Sequence, residues 1–407
     1  MIIYQCYPKQ WGKLKNIILE VPYFKEMAYD AIWLSPCYPS SGYDGGYDVK
    51  KYCDIDPDFG TLEEIKELID ECHKNGIKVL MDLVINHCSV EHPTYQMALR
   101  GFEHAQAMFH MYDEPQNDWE AIFGGSAWKY EPKINKYVFH AFTEGQIDWN
   151  FDNENTWAFW HDVIQFWLDD MNIDGFRVDA LTHIAKGDWN LPNVPQDAGA
   201  NYRCQPKLEG YLKKLADIIY TIKPDAFVMG EANGIDAHGA KQWIDKGYMD
   251  TVIQFEHLLP YKTKNGKIKG TTTELIEKLE EWSDVLGEDN LSYVQNHDIA
   301  CAPSILSLDA FSIADMLFSQ NGHVLIYNGQ ETGQTNKLWH SLDEFTEPET
   351  KNRYELLISE GVKPIMAFGL AAYLSRENAR QPIDWINDLE LTEHYKELIK
   401  QKKGIGV

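Results

Sequence analysis

The sequence predicts an α/β chain: a (β/α)₈ (TIM) barrel with a small subdomain inserted after its third strand. Three observations carry that prediction. Eight short apolar runs alternate with longer amphipathic stretches, the pattern of parallel strands buried on both faces and separated by helices. Several of those runs end in a polar or acidic residue. Eight units fit a closed barrel better than an open sheet, and no Gly-rich phosphate loop follows the first run, which lowers the doubly wound alternative.

The elements follow in order. Ile2–Tyr4 is the first strand and Ala31–Ser35 the second. Leu62, Ile65, Leu68, Ile69 and Cys72 recur at helical spacing over Leu62–Lys74, with Gly76 placed as a C-cap. Lys78–Leu83 is the third strand. Phe176–Asp179 is the fourth, after a helix over Trp157–Met171, and Phe227–Glu231 the fifth, after a helix over Leu208–Ile222 that Pro224 stops. Thr251–Phe255, Leu291–Gln295 and Val324–Tyr327 complete the set. The regular spacing breaks once, between Leu83 and Phe176. Residues 88–147, rich in His, Gly, Trp and Pro, are expected to form the inserted subdomain, and residues 1–87 with 148–407 the barrel.

At 407 residues the chain suits a single barrel with an insertion. The net charge of −26 repels phosphate backbones and anionic lipid, so nucleic acid and membranes are poor partners. Thirteen Trp and 22 Tyr suit sugar stacking, although cores use the same rings. No signal-peptide pattern opens the chain, and no run of apolar residues is long enough to span a bilayer. Seven scattered Cys show neither a C-x-x-C pair nor a disulfide framework, which points to free thiols in the cytoplasm.

In such a barrel, side chains at the C-terminal ends of strands point into the active site. Tyr47 and Asp48 follow the second strand, Asp82 and His87 the third, and Arg177 and Asp179 end the fourth. Glu231 ends the fifth, and His297 with Asp298 the seventh. One carboxylate at a strand end could simply cap a helix. Several of them, with two histidines and an arginine on different strands, are hard to explain structurally, because buried carboxylates are costly unless paired or functional. Two carboxylates flanking one bond are what glycoside hydrolysis needs, one to attack the anomeric carbon and one to protonate the leaving oxygen. Arg177, two residues before Asp179 and on the same strand face, can hold it ionised. Metal-ligand spacings such as H-x-x-x-H are absent, so neither metal nor cofactor is expected.

The blocks GYDV, DLVINH, GFRVDAL, GEAN and QNHD, in that order, resemble the signature blocks of the α-amylase superfamily, glycoside hydrolase family 13. FGGSAWKYE, GQIDWNFDN, LIYNGQETGQTN and SRENARQPIDW resemble its α-glucosidase and oligo-1,6-glucosidase branch. The resemblance implies that Asp179 is the nucleophile, Glu231 the acid/base and Asp298 the third carboxylate. It implies that His87 and His297 bind the sugar, that Tyr47 stacks on it, and that Asp48 with Arg380 closes its subsite. Asp82, Arg177 and, in the insertion, Phe142 join the substrate-binding set. The implied activity is retaining hydrolysis of short α-1,4- or α-1,6-linked glucosides from the non-reducing end. Transglycosylase, isomerase or phosphorylase action through the same intermediate is the alternative, and a non-catalytic barrel, like a transporter heavy-chain ectodomain, is the remote one.

Five departures narrow the resemblance. Tyr7–Lys13 stands where the family's calcium loop would be, without a carboxylate, so that site is expected to be lost. The β domain that usually follows the barrel is expected to be missing, since the sequence stops at Val407, and a homo-oligomer covering that flank is a further expectation. Ile299-Ala300-Cys301 follows Asp298 in place of the usual Arg, and Ile147 and Trp149 replace a usual Pro and Leu. Ala180 directly follows Asp179, where Val accompanies α-1,6 preference in that branch, which leans toward α-1,4 or other linkages.

Overall fold

The computed structural model describes residues 1–195, 197–264 and 267–405. Its central sheet has eight parallel strands: β1 Ile2–Cys6, β2 Ala31–Leu34, β3 Lys78–Val84, β4 Gly175–Asp179, β5 Phe227–Ala232, β6 Thr251–Gln254, β7 Leu291–Ser292 and β8 His323–Tyr327. They pair in the order β6-β5-β4-β3-β2-β1-β8-β7, the order of a (β/α)₈ TIM barrel. Side chains bridge the two end strands. Thr251 Oγ1 donates to the Asp289 carbonyl at 2.6 Å, and the Tyr293 hydroxyl to the Gln254 carbonyl at 2.6 Å. β7 is shorter than the expected Leu291–Gln295, because past Ser292 the chain turns into a loop fixed by side chains, with Gln295 Oε1 accepting from the Ala302 amide at 2.9 Å.

Alternation along the strands sorts the layers. Tyr4, Ile32, Val79, Val178, Val228 and Val324 face the helices. Ile3, Trp33, Leu80, Met229, Ile253 and Leu325 fill the interior. The inward parity continues from Leu80 to Asp82 and from Met229 to Glu231, so apolar residues plug the barrel and polar ones stand at its C-terminal mouth. Gly175 lets β4 start beside β5: a Cβ there would lie 1.9 Å from the Phe227 carbonyl oxygen. Arg177 then pairs in register with Asp82 on β3 and Met229 on β5.

The helices form where the sequence places them. The helix Leu62–Lys74 starts on a capping box, Thr61 with Glu64, and Gly76 just past its end takes φ +76°. The expected helix over Trp157–Met171 is instead an α-helix over Glu154–Gln165 followed by a π-turn over Phe166–Asp170.

Between β3 and β4 the chain leaves the barrel through a two-stranded stem, His87–Ser89 antiparallel to Gln146–Asp148. Beyond it lies a three-stranded antiparallel sheet, Met111–Tyr112, Trp128–Glu131 and Lys136–Phe139. Trp119, Trp128 and Phe139 pack there against Tyr202, which comes from the loop after β4. Lys186 of that loop is buried and pairs with Asp148 at 2.6 Å, so the insertion and the loop form one roof over the mouth.

Below the mouth, Glu331 is fully buried after β8. It accepts from the Tyr4 hydroxyl at 2.6 Å, the Tyr23 hydroxyl at 3.2 Å and the Gly329 amide at 3.0 Å. Burial outweighs these donors and pushes its carboxyl from 4.5 up to about 7. An acid raised on folding binds its proton more tightly in the native state. Stability linked to it is therefore full below about pH 4.5 and falls as pH rises through 7, by ~3 kcal/mol. Glu331→Gln is expected to flatten the fall in Tm between pH 5 and 8; an unchanged slope would mean that the carboxyl is ionised throughout.

Candidate active site

A cavity of ≈ 220 Å³ opens at the C-terminal ends of the strands, with Asp179, Glu231 and Asp298 in its wall. Arg177 organises its floor at 1% exposure. Its guanidinium lies 2.9 Å from Asp82 Oδ1, 2.6 Å from Asp179 Oδ1 and 2.8 Å from Glu231 Oε2. The Ala180 amide donates to the same Glu231 oxygen at 2.6 Å, from a residue held at φ +45°. One face of Glu231 is thus fixed.

The charges here are coupled. Burial pushes the Asp179 carboxyl well above its ordinary value; Arg177 opposes that, and the carboxylates of Glu231 and Asp82 add to it. The charge of Asp179 is thus set by Glu231 as well as by Arg177. Burial also raises Asp82, against Arg177. Asp298 behaves oppositely. Burial disfavours its charge, but the His297 ring and the guanidiniums of Arg376 and Arg380 outweigh that and hold it well below the usual carboxylate range. Burial lowers His87, and it lowers His183 to about 3, so both rings are neutral.

The structure brings together most of the residues that the sequence singled out. The Tyr47 hydroxyl donates to Asp82 Oδ2 at 3.0 Å and lies 2.6 Å from His297 Nε2, with the two rings stacked at 5.1 Å. His87 and Phe142 share the wall, their ring centroids 5.1 Å apart. Asp82 and Arg177 lie beneath the surface and support it. The pair Asp48 and Arg380 is not the one the structure places at the cavity. Asp48 is fully buried in its own loop, accepting from Ser40 Oγ and from the amides of Ser41 and Asp44. Arg380 sits behind Asp298, 3.0 Å away, and bonds Glu347 and the His297 carbonyl. Asp44 and Arg376 line the cavity instead, 2.6 Å apart, and Arg376 also reaches Asp298 at 3.1 Å. Each lies four residues before the residue expected, in YDGGYD and RENAR. Both segments offer two residues of the right type, and only the turn geometry decides between them.

Phe123, His183, Asn233 and Glu349 also line the cavity; Phe123 and Asn233 lie in the blocks FGGSAWKYE and GEAN, whereas nothing local singles out His183 or Glu349. Asp44→Asn is expected to raise KM and lower kcat/KM by roughly 10²-fold, with a small change in Tm. Asp48→Asn should do the reverse, losing Tm with activity within about threefold. Equal effects in steady-state kinetics and melting would refute the assignment of Asp44 to the wall.

The α-amylase catalytic domain family matches residues 4–399. The chain is 31% identical to the probable oligo-1,6-glucosidase 3 of Bacillus subtilis (strain 168), covering 94% of this chain and 74% of that protein. It is 33% identical to the glucan 1,6-alpha-glucosidase of Streptococcus pneumoniae, again over 94% of this chain and 74% of that one. The crystal structure of the Bacillus licheniformis trehalose-6-phosphate hydrolase superposes with a TM-score of 0.88 at 27% identity, covering 99% of this chain and 83% of that chain.

Proposed function

The chain belongs to the α-amylase family, and from that premise we propose that it is a retaining α-glucosidase acting on short, unphosphorylated α-glucosides. The observation that carries the reading is the bridge from Arg177 to both Asp179 and Glu231 at the wall of one cavity. Asp179 attacks the anomeric carbon and forms a glucosyl ester while the glycosidic C–O bond breaks. Glu231 gives its proton to the departing oxygen. Water then attacks the same carbon, Glu231 takes its proton, and Asp179 leaves as a carboxylate. Asp298, ionised across the working range, accepts sugar hydroxyls. Asp44 and Arg376 close one end, which favours a non-reducing terminal sugar. Residues 88–147 serve as the roof and 1–87 with 148–407 as the barrel.

The charge of the wall supports a neutral substrate. Asp44, Asp179, Glu231, Asp298 and Glu349 all line it. Among the described lining residues the one guanidinium, Arg376, is already engaged by Asp44, Asp298 and Glu347. A phosphate dianion would meet carboxylates and no free cation. Among the described residues no helix is long and apolar enough to cross a membrane, and the seven cysteines are unpaired. These features support action in the cytoplasm.

A panel of maltose, isomaltose, trehalose, sucrose and their 6-phosphates, with and without inorganic phosphate, tests substrate and acceptor together. Glucose should be released from a neutral disaccharide at least about tenfold faster than from its 6-phosphate. Glucose 1-phosphate as the main product would replace hydrolysis by phosphorolysis. Asp179→Ala and Glu231→Gln should each lower turnover by ~10³-fold or more; a tenth of wild-type rate surviving in both would reject the assignment.

The pair also predicts a pH shift. Glu231 is one of the charges that raise Asp179, so removing it should lower the pKa of Asp179. In Glu231→Gln, the acid limb for forming the glucosyl ester from an aryl glucoside with a good leaving group should move to lower pH. A limb that stays or moves up would show that the carboxyls titrate independently.

A further inference from the structure

The last but one residue of β1 carries a side chain that the chemistry above leaves unused. Gln5 lies beside Trp33 of β2 and Tyr327 of β8 and is fully buried. Its amide nitrogen is 2.8 Å from His297 Nδ1 and 2.8 Å from Ser35 Oγ, one partner for each N–H bond. Its amide oxygen has no partner. The free acceptor costs about 1–3 kcal/mol, while both N–H bonds of the amide are used.

His297 is enclosed on every side. Tyr47 and Tyr7 lie nearly parallel to its ring at 5.1 and 5.9 Å between centroids, and Trp33 meets it edge-on at 5.9 Å. Nε2 faces the Tyr47 hydroxyl at 2.6 Å and Asp298 Oδ2 at 3.1 Å. Arg380 Nε donates to its carbonyl oxygen at 2.8 Å. The charged groups around the ring are therefore Asp298 and Arg380 directly, with Asp82 and Arg177 reached through the Tyr47 hydroxyl.

The hydrogen positions follow from the partners. Asp82 accepts from Arg177 and from the Tyr47 hydroxyl, so the Tyr47 oxygen must accept at its 2.6 Å contact. Nε2 then carries a hydrogen, which also faces the Asp298 carboxylate. A protonated Nδ1 would point its hydrogen at the Gln5 N–H, whereas a bare Nδ1 accepts from it. We propose that Gln5 is a positioning residue that fixes His297 as a neutral ring with its hydrogen on Nε2. The amide thereby excludes one positive charge from the wall beside Asp298. The kinetic consequence rests on the α-glucosidase reading; the protonation state does not.

Nitrogen-15 NMR of histidine-labelled protein at pH 7 tests this without substrate. For His297, identified by the signals lost in His297→Gln, we expect one protonated nitrogen and one bare nitrogen. Gln5→Glu places a carboxylate at Nδ1 and should give a ring protonated on both nitrogens at pH 7. Its kcat should fall about tenfold with KM within about threefold. Gln5→Met, which keeps the length but loses the donor, should show a mixture of the two neutral tautomers. A doubly protonated ring in the wild type, or a Gln5→Glu ring spectrum identical to wild type, overturns the proposal. Should Gln5→Glu fail to fold, the wild-type spectrum alone decides. A wild-type ring of the expected form in a protein that cleaves no glucoside would uphold Gln5 and reject the α-glucosidase reading.

Discussion

Arg177 sits at 1% exposure and touches carboxylates from β3, from its own strand and from β5 at 2.6–2.9 Å. Taking a guanidinium out of water costs several kcal/mol, and removing one partner of a buried pair typically costs about 3–5 kcal/mol, because it leaves an uncompensated buried charge. Three carboxyl groups meeting around one cation leave the cluster overcharged, and burial raises Asp179 and Asp82 against the pull of Arg177. A lysine would not substitute, because a point charge cannot hold three carboxylates in three fixed directions, whereas the planar fork can. The rest of the mouth is arranged around that fork. Trp33 Nε1 and the Tyr47 hydroxyl both donate to Asp82 Oδ2, and the Ala180 amide completes the hold on Glu231.

The height of Arg177 in the barrel is itself a consequence of packing. The glycine that opens β4 permits the close approach to β5, and the parallel register then sets Arg177 level with Asp82 and Met229. Below that level the interior is apolar, and above it almost every inward side chain is polar. Trp33 marks the boundary, since its ring belongs to the interior cluster while its N–H reaches Asp82. The barrel thus supplies both a dry floor, which strengthens each charge interaction above it, and the positions from which the charges act.

Local sequence made the strands, the Leu62–Lys74 helix with its capping box, and the strand-end residues legible, because apolar periodicity and caps act over a few residues. It failed where the deciding partner lies far along the chain. Asp44 and Asp48 share a residue type and a Tyr-Asp setting, and Arg376 and Arg380 share one segment. What separates them is that Arg376 meets Asp44 across the mouth while Asp48 turns back to cap Ser40 and Ser41. The shortness of β7 is a tertiary effect of the same kind. Gln5 lies just past the expected first strand, Ile2–Tyr4, and carried no signal of its own, since its role depends on a histidine 292 positions away.

The balance of charge around the cavity also explains why a site so heavily built of ions suits a neutral sugar. Bond cleavage at an anomeric carbon develops positive charge on the ring. Carboxylates placed around that point in advance stabilise the developing charge without having to reorganise. At an effective dielectric constant near 20, one carboxylate about 4 Å from a unit positive charge contributes about 4 kcal/mol, roughly a thousandfold in rate. Arginines that neutralised the wall completely would remove that advantage. Each guanidinium here is instead shared among several carboxylates: Arg177 among Asp82, Asp179 and Glu231, and Arg376 among Asp44, Asp298 and Glu347. The cations fix the geometry while the net field stays negative. Protonating His297 would place a cation beside Asp298 and weaken that field, which gives a buried amide near the end of β1 a direct bearing on a bond broken at the other side of the mouth.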